Sequence, residues 1–371
     1  MSAPHPIVFI VPGDPNQRTG GYLYDARMVE AFEQAGHAVQ VVGLAGQFPI
    51  PDAVAKESLT AVLSAHPTDA LIIIDGLALG GLGEVVTRIR KNQERYPAQS
   101  RARWVGLVHH PLADETGLDA ETTQWLWQQE KLALSACDQV IVTSSFTASR
   151  LMERGYVDTP PTIVTPGVDK APLVKHAKLK VPATEPAPEP TTARLLTVAS
   201  LTPRKGHAVL LQALSEIKGL DWVSEWVGDP YRDADHAKTL TQRIEALGLT
   251  DRVVCWGEQD AQGLDERYES AHVCVLPSFY EGYGMVITEA IARGLPVITT
   301  DGGALPTTVP EGAGIIVPAG DAQALAAALR SWCEDSALRA SLIQGAIEAR
   351  EALRDWSEAG ERFIDAALFG R

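Results

Sequence analysis

Cysteine is scarce in this chain of 371 residues: Cys137, Cys255, Cys274 and Cys333 are the four present, far apart and with no C-x-x-C pair. That excludes a disulfide scaffold and a structural zinc site and points to a reducing, cytoplasmic setting. Long apolar runs are missing too. The longest candidate, around Leu71–Ile74, is broken by Asp75, and Ile7–Val11 is too short and lacks a basic flank. Neither a bilayer span nor a signal-peptide core is expected. Positive charge is in deficit, with 32 Lys and Arg against 47 Asp and Glu and a net charge of −15. A nucleic-acid binder needs a basic face, so that class is set aside. A small anionic ligand is not, because a local nest of donors can oppose the global field. Three motifs are also absent: G-x-G-x-x-G, G-x-x-x-x-G-K-[ST], and a D-x-D at a strand end. With them go the dinucleotide fingerprint, the P-loop and an acidic pair suited to a metal.

What is present is a rhythm. Short Val/Ile/Leu runs at Ile7–Val11, Val39–Val42, Ala70–Ile74, Trp104–Val108, Gln139–Thr143 and Thr162–Val164 read as strands buried on both faces. Helix-period stretches such as Tyr22–Gln34 and Trp125–Ala136 separate them. Residues 172–193 interrupt the rhythm with Pro172, Pro182, Pro186, Pro188 and Pro190, and read as an interdomain connector or else a surface loop. The pattern then restarts at Arg194–Ala199 and runs through Gly206–Ile217 to Trp356–Leu368. The expected fold is α/β: two Rossmann-like, doubly wound parallel-sheet domains facing a central cleft, with ligands at the carboxyl ends of the strands.

Four places could carry chemistry. In Ser278–Gly303, Glu281 follows a strand, Gly282, Tyr283 and Gly284 form a turn, and Met285 leads into a helix holding Glu289. A helix start of this kind suits phosphate, Glu281 can accept from sugar hydroxyls, and Glu289 can accept from a ribose diol. A capping carboxylate and a surface glutamate would look the same in isolation. Arg204 and Lys205 stand before a helix opening at Gly206, a planar fork and a compact charge placed as a diphosphate needs them, or solvated as loop cations often are. Gly20 and Gly21 precede the first helix and permit close backbone approach. His109, with His110 beside it, ends the strand WVGLV, where it faces the ligand crevice or holds a backbone carbonyl. Adjacent residues on extended chain point to opposite sides, so the pair is a poor metal site.

Together these segments resemble the retaining nucleotide-sugar glycosyltransferases of family four, of GT-B architecture. The motifs are TGGY, LVHH, DQVIVTSSFTASRL, PRKGH, PSFYEGYGMVITEAIARGLPVITTDGG and AGIIVPAGD, and they span nearly the whole chain. The resemblance implies that Glu281 and the amides around Tyr283, Gly284 and Met285 hold the transferred sugar, and Glu289 the ribose. Arg204 and Lys205 would neutralise the diphosphate, Gly20 or Gly21 would approach it from the other lobe, and His109 would lie near the anomeric centre. It also implies domains at 1–171 for the acceptor and 194–354 for the nucleotide sugar, with residues 355–371 returning to the first. One departure stands out. The family's V-G-R arginine is replaced by Val198–Ala199–Ser200, so Ser200 stands where a cation is usual.

The expected reaction moves a hexose to an acceptor hydroxyl with no metal or other cofactor, fixed cations taking the metal's role. A UDP-sugar is the first choice of donor and GDP-mannose the second, with the base read by the loops at Trp256–Gln259 and Gly228–Asp229. The acceptor is a lipid such as a diacylglycerol or a small hydroxylated metabolite, lodged by Asp75–Gly83 and Pro111–Leu118 read as mobile, partly apolar loops. The basic run Arg88–Lys91 with Arg95, Arg101 and Arg103 could dock peripherally on anionic lipid at the inner face of a membrane, or be a solvated helix face. A nucleotide-sugar epimerase and a non-catalytic sugar-nucleotide module are the competing readings.

Overall fold

A computed structural model describes residues 6–66, 68–175 and 192–370. They form two units. The first runs to Gly167 and resumes at Trp356, and the second is Val168–Asp355.

In the first unit six parallel strands lie in the order β2-β1-β3-β4-β5-β6: β1 Ile7–Pro12, β2 Val39–Leu44, β3 Leu71–Asp75, β4 Arg103–Val108, β5 Gln139–Val142 and β6 Thr162–Ile163. Parallel neighbours require crossovers, here α1 Gly20–Gln34, α2 Ala53–Ala65, α3 Gly76–Leu79, α4 Gly83–Gln93, α5 Ala120–Ser135 and α6 Ser145–Glu153. β1 and β3 are buried along their whole length, which is why they read as unbroken apolar runs.

The second unit repeats the plan in the order β12-β11-β10-β7-β8-β9. Its strands are β7 Ala193–Val198, β8 Trp222–Val227, β9 Val253–Gly257, β10 Val273–Leu276, β11 Val297–Thr300 and β12 Gly314–Val317. Its helices are α7 His207–Glu216, α8 Ala234–Ala246, α9 Ala261–Ser270, α10 Met285–Ala292, α11 Leu305–Thr308, α12 Ala322–Glu334 and α13 Ser336–Ala349. The chain ends in α14 Trp356–Phe369, which belongs to the first unit. There Phe363, Ala359, Ala366 and Ala367 are buried with Phe9, Tyr24 and Phe32.

Two expectations need correction. The first unit gives way to the second at Val168, ahead of 171: Val168 and Val174 are buried, and the Val174 amide donates to the Arg293 carbonyl at 3.0 Å. Residues 176–191 of the expected connector lie outside the described residues. Asp75–Gly83 is not a mobile loop but α3 and a following 3-10 turn, nearly all of it buried. Its glycines are packing contacts, since a Cβ on Gly81 would strike the Pro49 carbonyl and one on Gly83 the Gln129 carbonyl. Of the basic run, Arg88, Lys91 and Arg95 are exposed and the other three make internal contacts. Arg90 pairs with Asp138 and stacks on Trp104, Arg103 donates to Leu368 and Gln139, and Arg101 donates to the Tyr96 and Glu94 carbonyls.

Candidate active site

The second unit joins two of the expected segments. The chain leaves β7 and makes a 3-10 turn at Pro203–Lys205, then reverses through Gly206 at φ +72° into α7. Only glycine suits this position, because the backbone is left-handed and a Cβ would collide with the Pro277 carbonyl. That close approach lays the Arg204–Lys205 turn against the segment after β10. The Phe279 amide donates to the Arg204 carbonyl at 2.8 Å, and Arg204 Nη1 donates to the Tyr280 carbonyl at 2.6 Å.

The side chains converge on Glu281. Lys205 Nζ lies 2.6 Å from Oε1, Arg204 Nη1 3.2 Å from Oε2, and the Ser278 hydroxyl donates to Oε1 at 2.7 Å. Burial alone would favour the neutral acid. The two cations and the hydroxyl outweigh it and hold the Glu281 carboxyl down at about 2, so it is ionised. From behind, the Ala304 amide donates to the Glu281 carbonyl at 2.8 Å, so the turn rests on the loop after β11.

Gly284, at φ +90°, then starts α10 with no side-chain cap. The starts of α1 and α7 are likewise uncapped, whereas α2, α5, α6, α8, α9, α12 and α13 each have an Asp or Ser side chain on their first amides. The starts of α4 and α11 also lack a side-chain cap, so α1, α7 and α10 are three of five helix starts without one. Glu289 lies one turn into α10. Its Oε2 accepts from the Tyr268 hydroxyl at 2.8 Å, and burial raises its carboxyl despite that bond and the Arg293 charge. Arg293 stacks over Tyr268 at 4.4 Å. Tyr283 is pushed up to about 12 by burial, against the pull of Arg354, and its carbonyl accepts from Thr308 at 2.6 Å. Ser200 is half-buried at the bend after β7, its carbonyl accepting from the Thr202 amide at 2.8 Å.

In the first unit, His109 follows β4 beside the carboxyl end of β3. Its Nε2 is 3.1 Å from Asp25 Oδ1 and 3.2 Å from Asp75 Oδ2. Asp75 Oδ1 accepts from the Leu77 and Ala78 amides, at 2.8 and 3.3 Å. Both carboxylates are buried, and the Tyr24 ring stands edge-on to the imidazole at 5.5 Å. Gly20 and Gly21 are the first two residues of α1 rather than a preceding loop, with Thr19 as N-cap. Gly21 lets the helix start against the histidine, since a Cβ there would sit 3.3 Å from His109 Cδ2. His110 faces away, 3.4 Å from Glu115. Among the described residues, only Asp25, Asp75 and His109 gather three such ligand-type atoms within 4.8 Å, and the two Nε2–carboxylate separations are within hydrogen-bond range.

Residues 184–349 match the family model described as glycosyl transferases group 1. Over these residues the chain belongs to the group 1 glycosyltransferases. It is 30% identical over 293 residues to a D-inositol 3-phosphate glycosyltransferase of Nocardioides, covering 72% of this chain and 63% of the relative. A second D-inositol 3-phosphate glycosyltransferase, from Catenulispora acidiphila, is 30% identical over 296 residues, 73% of this chain and 64% of the relative. The chain thus spans less than two thirds of the length of these curated relatives. Among solved structures, sucrose-phosphate synthase of Thermosynechococcus elongatus superposes with a TM-score of 0.76 at 25% identity over 97% of both chains. HepE of Anabaena, solved with UDP and glucose, superposes with a TM-score of 0.73 at 20% identity, over 97% of this chain and 98% of that one. These neighbours share the GT-B fold, two parallel six-stranded sheets with flanking helices.

The residues expected to bind ligand divide between the units. Gly20, Gly21 and His109 lie in the first and the rest in the second. Sequence reasoning missed Ser278, Tyr268, Asp25 and Asp75. Ser278 sits just past β10 and Asp75 closes β3, places that signal a crevice. Tyr268 and Asp25 carried no signal, being helical residues whose partners are distant in the chain.

Proposed function

We propose that this chain transfers a hexose from a nucleoside-diphosphate sugar to an acceptor hydroxyl, with retention at the anomeric carbon. The observation that carries the reading is the cluster of Lys205, Arg204 and Ser278 on Glu281, beside the uncapped start of α10. A carboxylate has about four lone-pair sites, so Glu281 keeps capacity for a sugar hydroxyl while its cations face a leaving diphosphate. As the anomeric C–O bond to phosphate breaks, Lys205, Arg204 and the α10 amides take up the developing negative charge. The acceptor oxygen bonds to the same face of the anomeric carbon, and its proton passes to the departing phosphate oxygen. Glu289 with Tyr268 holds the ribose, and Ser200 takes the place of the usual arginine with a neutral hydroxyl. No metal is required in this scheme, because fixed cations supply the countercharge.

A UDP-sugar is the first donor to try and GDP-mannose the second; HepE, which shares the fold, was solved with UDP and glucose. For the acceptor a small hydroxylated metabolite is favoured over a lipid. Relatives are named for inositol 3-phosphate, and half of the basic run that would have supported lipid docking is spent on internal contacts. Among the described residues no helix is long and apolar enough to cross a membrane.

A thermal-shift screen against nucleotide sugars identifies the donor, and release of nucleoside diphosphate with hydroxylated acceptors then measures transfer. Epimerisation of the donor without acceptor would instead favour the epimerase, and tight binding with no turnover across the acceptor panel the non-catalytic module.

A further inference from the structure

The first unit holds a buried arrangement that the transfer chemistry above does not explain. Two carboxylates from different elements, Asp25 in the second turn of α1 and Asp75 at the end of β3, both address one nitrogen, Nε2 of His109. Each is at most 6% exposed at its side chain. A neutral imidazole between two buried anions would leave two uncompensated charges, an expensive state away from water. A proton on Nε2 serves both oxygens at once, and a second proton on Nδ1 makes the ring the cation the site lacks. Asp75 is itself fixed by the Leu77 and Ala78 amides through its other oxygen, so it cannot swing away. Nδ1 has no hydrogen-bond partner among the described residues, and the side chain remains 20% exposed.

We propose that Asp25 and Asp75 are positioning residues that clamp Nε2 of His109, so that the ring is a fixed imidazolium presenting Nδ1–H as a charged donor to a substrate oxygen. The proposal deepens the glycosyltransferase reading and rests on it for the identity of that oxygen. Burial opposes charging the ring, but the Asp25 and Asp75 charges and hydrogen bonds prevail and raise His109 to about 10. Burial, assisted by Asp75 and opposed by His109, also raises Asp25. The other titratable group facing the ring is Tyr24, whose hydroxyl donates to the Val164 carbonyl and which burial holds well above its usual range. Thr143 and Thr147 donate to the His109 carbonyl.

The test is a ring titration by NMR on histidine-labelled, metal-free protein, with His109 assigned by the loss of its resonance in His109→Gln. In the unmodified protein the His109 resonance should hold its protonated position from pH 6 to 8.5, through the range where an ordinary histidine titrates near 6.5. Asp25→Asn should lower the midpoint by at least about one pH unit, as expected when an opposite charge within hydrogen-bond distance is removed. In that variant, turnover should fall about tenfold per pH unit above the new midpoint, while the unmodified enzyme shows no such fall. A wild-type midpoint near 6.5, or an unmoved midpoint in Asp25→Asn, overturns the proposal. So does stoichiometric binding of added Mn2+ or Zn2+ that Asp25→Asn abolishes, which would make the clamp a cation site. The titration needs neither donor nor acceptor, so it stands even if no transfer is found, and the wild-type measurement stands if Asp25→Asn does not fold.

Discussion

Replacing Glu281 by Gln keeps its shape and removes only its charge, and the structure fixes what this should cost. Lys205, Arg204 and Ser278 bring the Glu281 carboxyl from 4.5 to about 2 against the opposing effect of burial. At about 1.4 kcal/mol per unit, the 2.5-unit depression corresponds to roughly 3 kcal/mol of folding stability. The sign follows from the direction. A carboxyl depressed in the folded state stabilises fully above its unfolded value and loses that contribution as pH falls from there through about 2. Glu281→Gln should therefore be destabilised by roughly 3 kcal/mol at neutral pH, and the gap should shrink by roughly 1 kcal/mol at pH 3.5. For a domain the size of the second unit this is a lowering of Tm by roughly 6–12 °C. Two units need not melt together, so calorimetry should be paired with hydrogen exchange at the β7 and α7 amides, which report on the affected unit. The reasoning is refuted if the Gln variant melts within about 1 °C of the parent at pH 7, or if the gap is the same at both pH values.

Lys205→Ala should lower kcat by about 10²–10³, the scale of removing one donor to a developing anion, and near-normal turnover would remove Lys205 from the leaving-group site. Tyr268→Phe deprives Glu289 of its hydroxyl donor and should raise the KM for the nucleotide sugar roughly tenfold with kcat little changed; a kcat effect alone would place Glu289 elsewhere in the reaction. Gly206→Ala, forced against the Pro277 carbonyl in a left-handed turn, should destabilise the second unit by about 2 kcal/mol or more in denaturant titrations and leave the first unit's exchange pattern intact. Prolonged EDTA treatment followed by dialysis should leave transfer unchanged, and activity restored only by added Mg2+ or Mn2+ would contradict the metal-free scheme.

The parallel strands were legible because burial on both faces turns a strand into a run of Val, Ile and Leu that no surface element imitates. The Glu281 turn was legible for a different reason: glycines at 282 and 284, a strand before and a helix after leave few other arrangements. What escaped was chemistry decided by distance in the chain. Asp25 and His109 are 84 residues apart, and only the adjacency of β1, β3 and β4 in the sheet brings their neighbourhoods together. Asp75–Gly83 misled because four glycines and three leucines read as a pliant apolar loop. Here Gly81 lets the turn after the short helix pack directly on the Pro49 carbonyl and Gly83 lets α4 start on the Gln129 carbonyl, so composition alone misread a buried segment as a loop.

The same distinction alters the meaning of the charge. Against a net of −15, Arg204 and Lys205 were expected to stand ready for a diphosphate. They are instead bonded to Glu281, and that has a mechanistic consequence. Free cations on an acidic protein would attract any anion, inorganic phosphate included. Cations already satisfied by a buried carboxylate gain little from a loose phosphate, because the ligand must compete with a bond that costs nothing further to keep. A nucleotide sugar can also give Glu281 a hydroxyl to hold while its diphosphate takes a share of Lys205 and Arg204, so both halves of the cluster remain satisfied. On this reasoning, inorganic phosphate should compete poorly with the donor in Glu281-containing enzyme. It should compete markedly better in Glu281→Gln, where the two cations have lost their anion. Equal phosphate inhibition constants in the two proteins would show that the carboxylate does not screen the site.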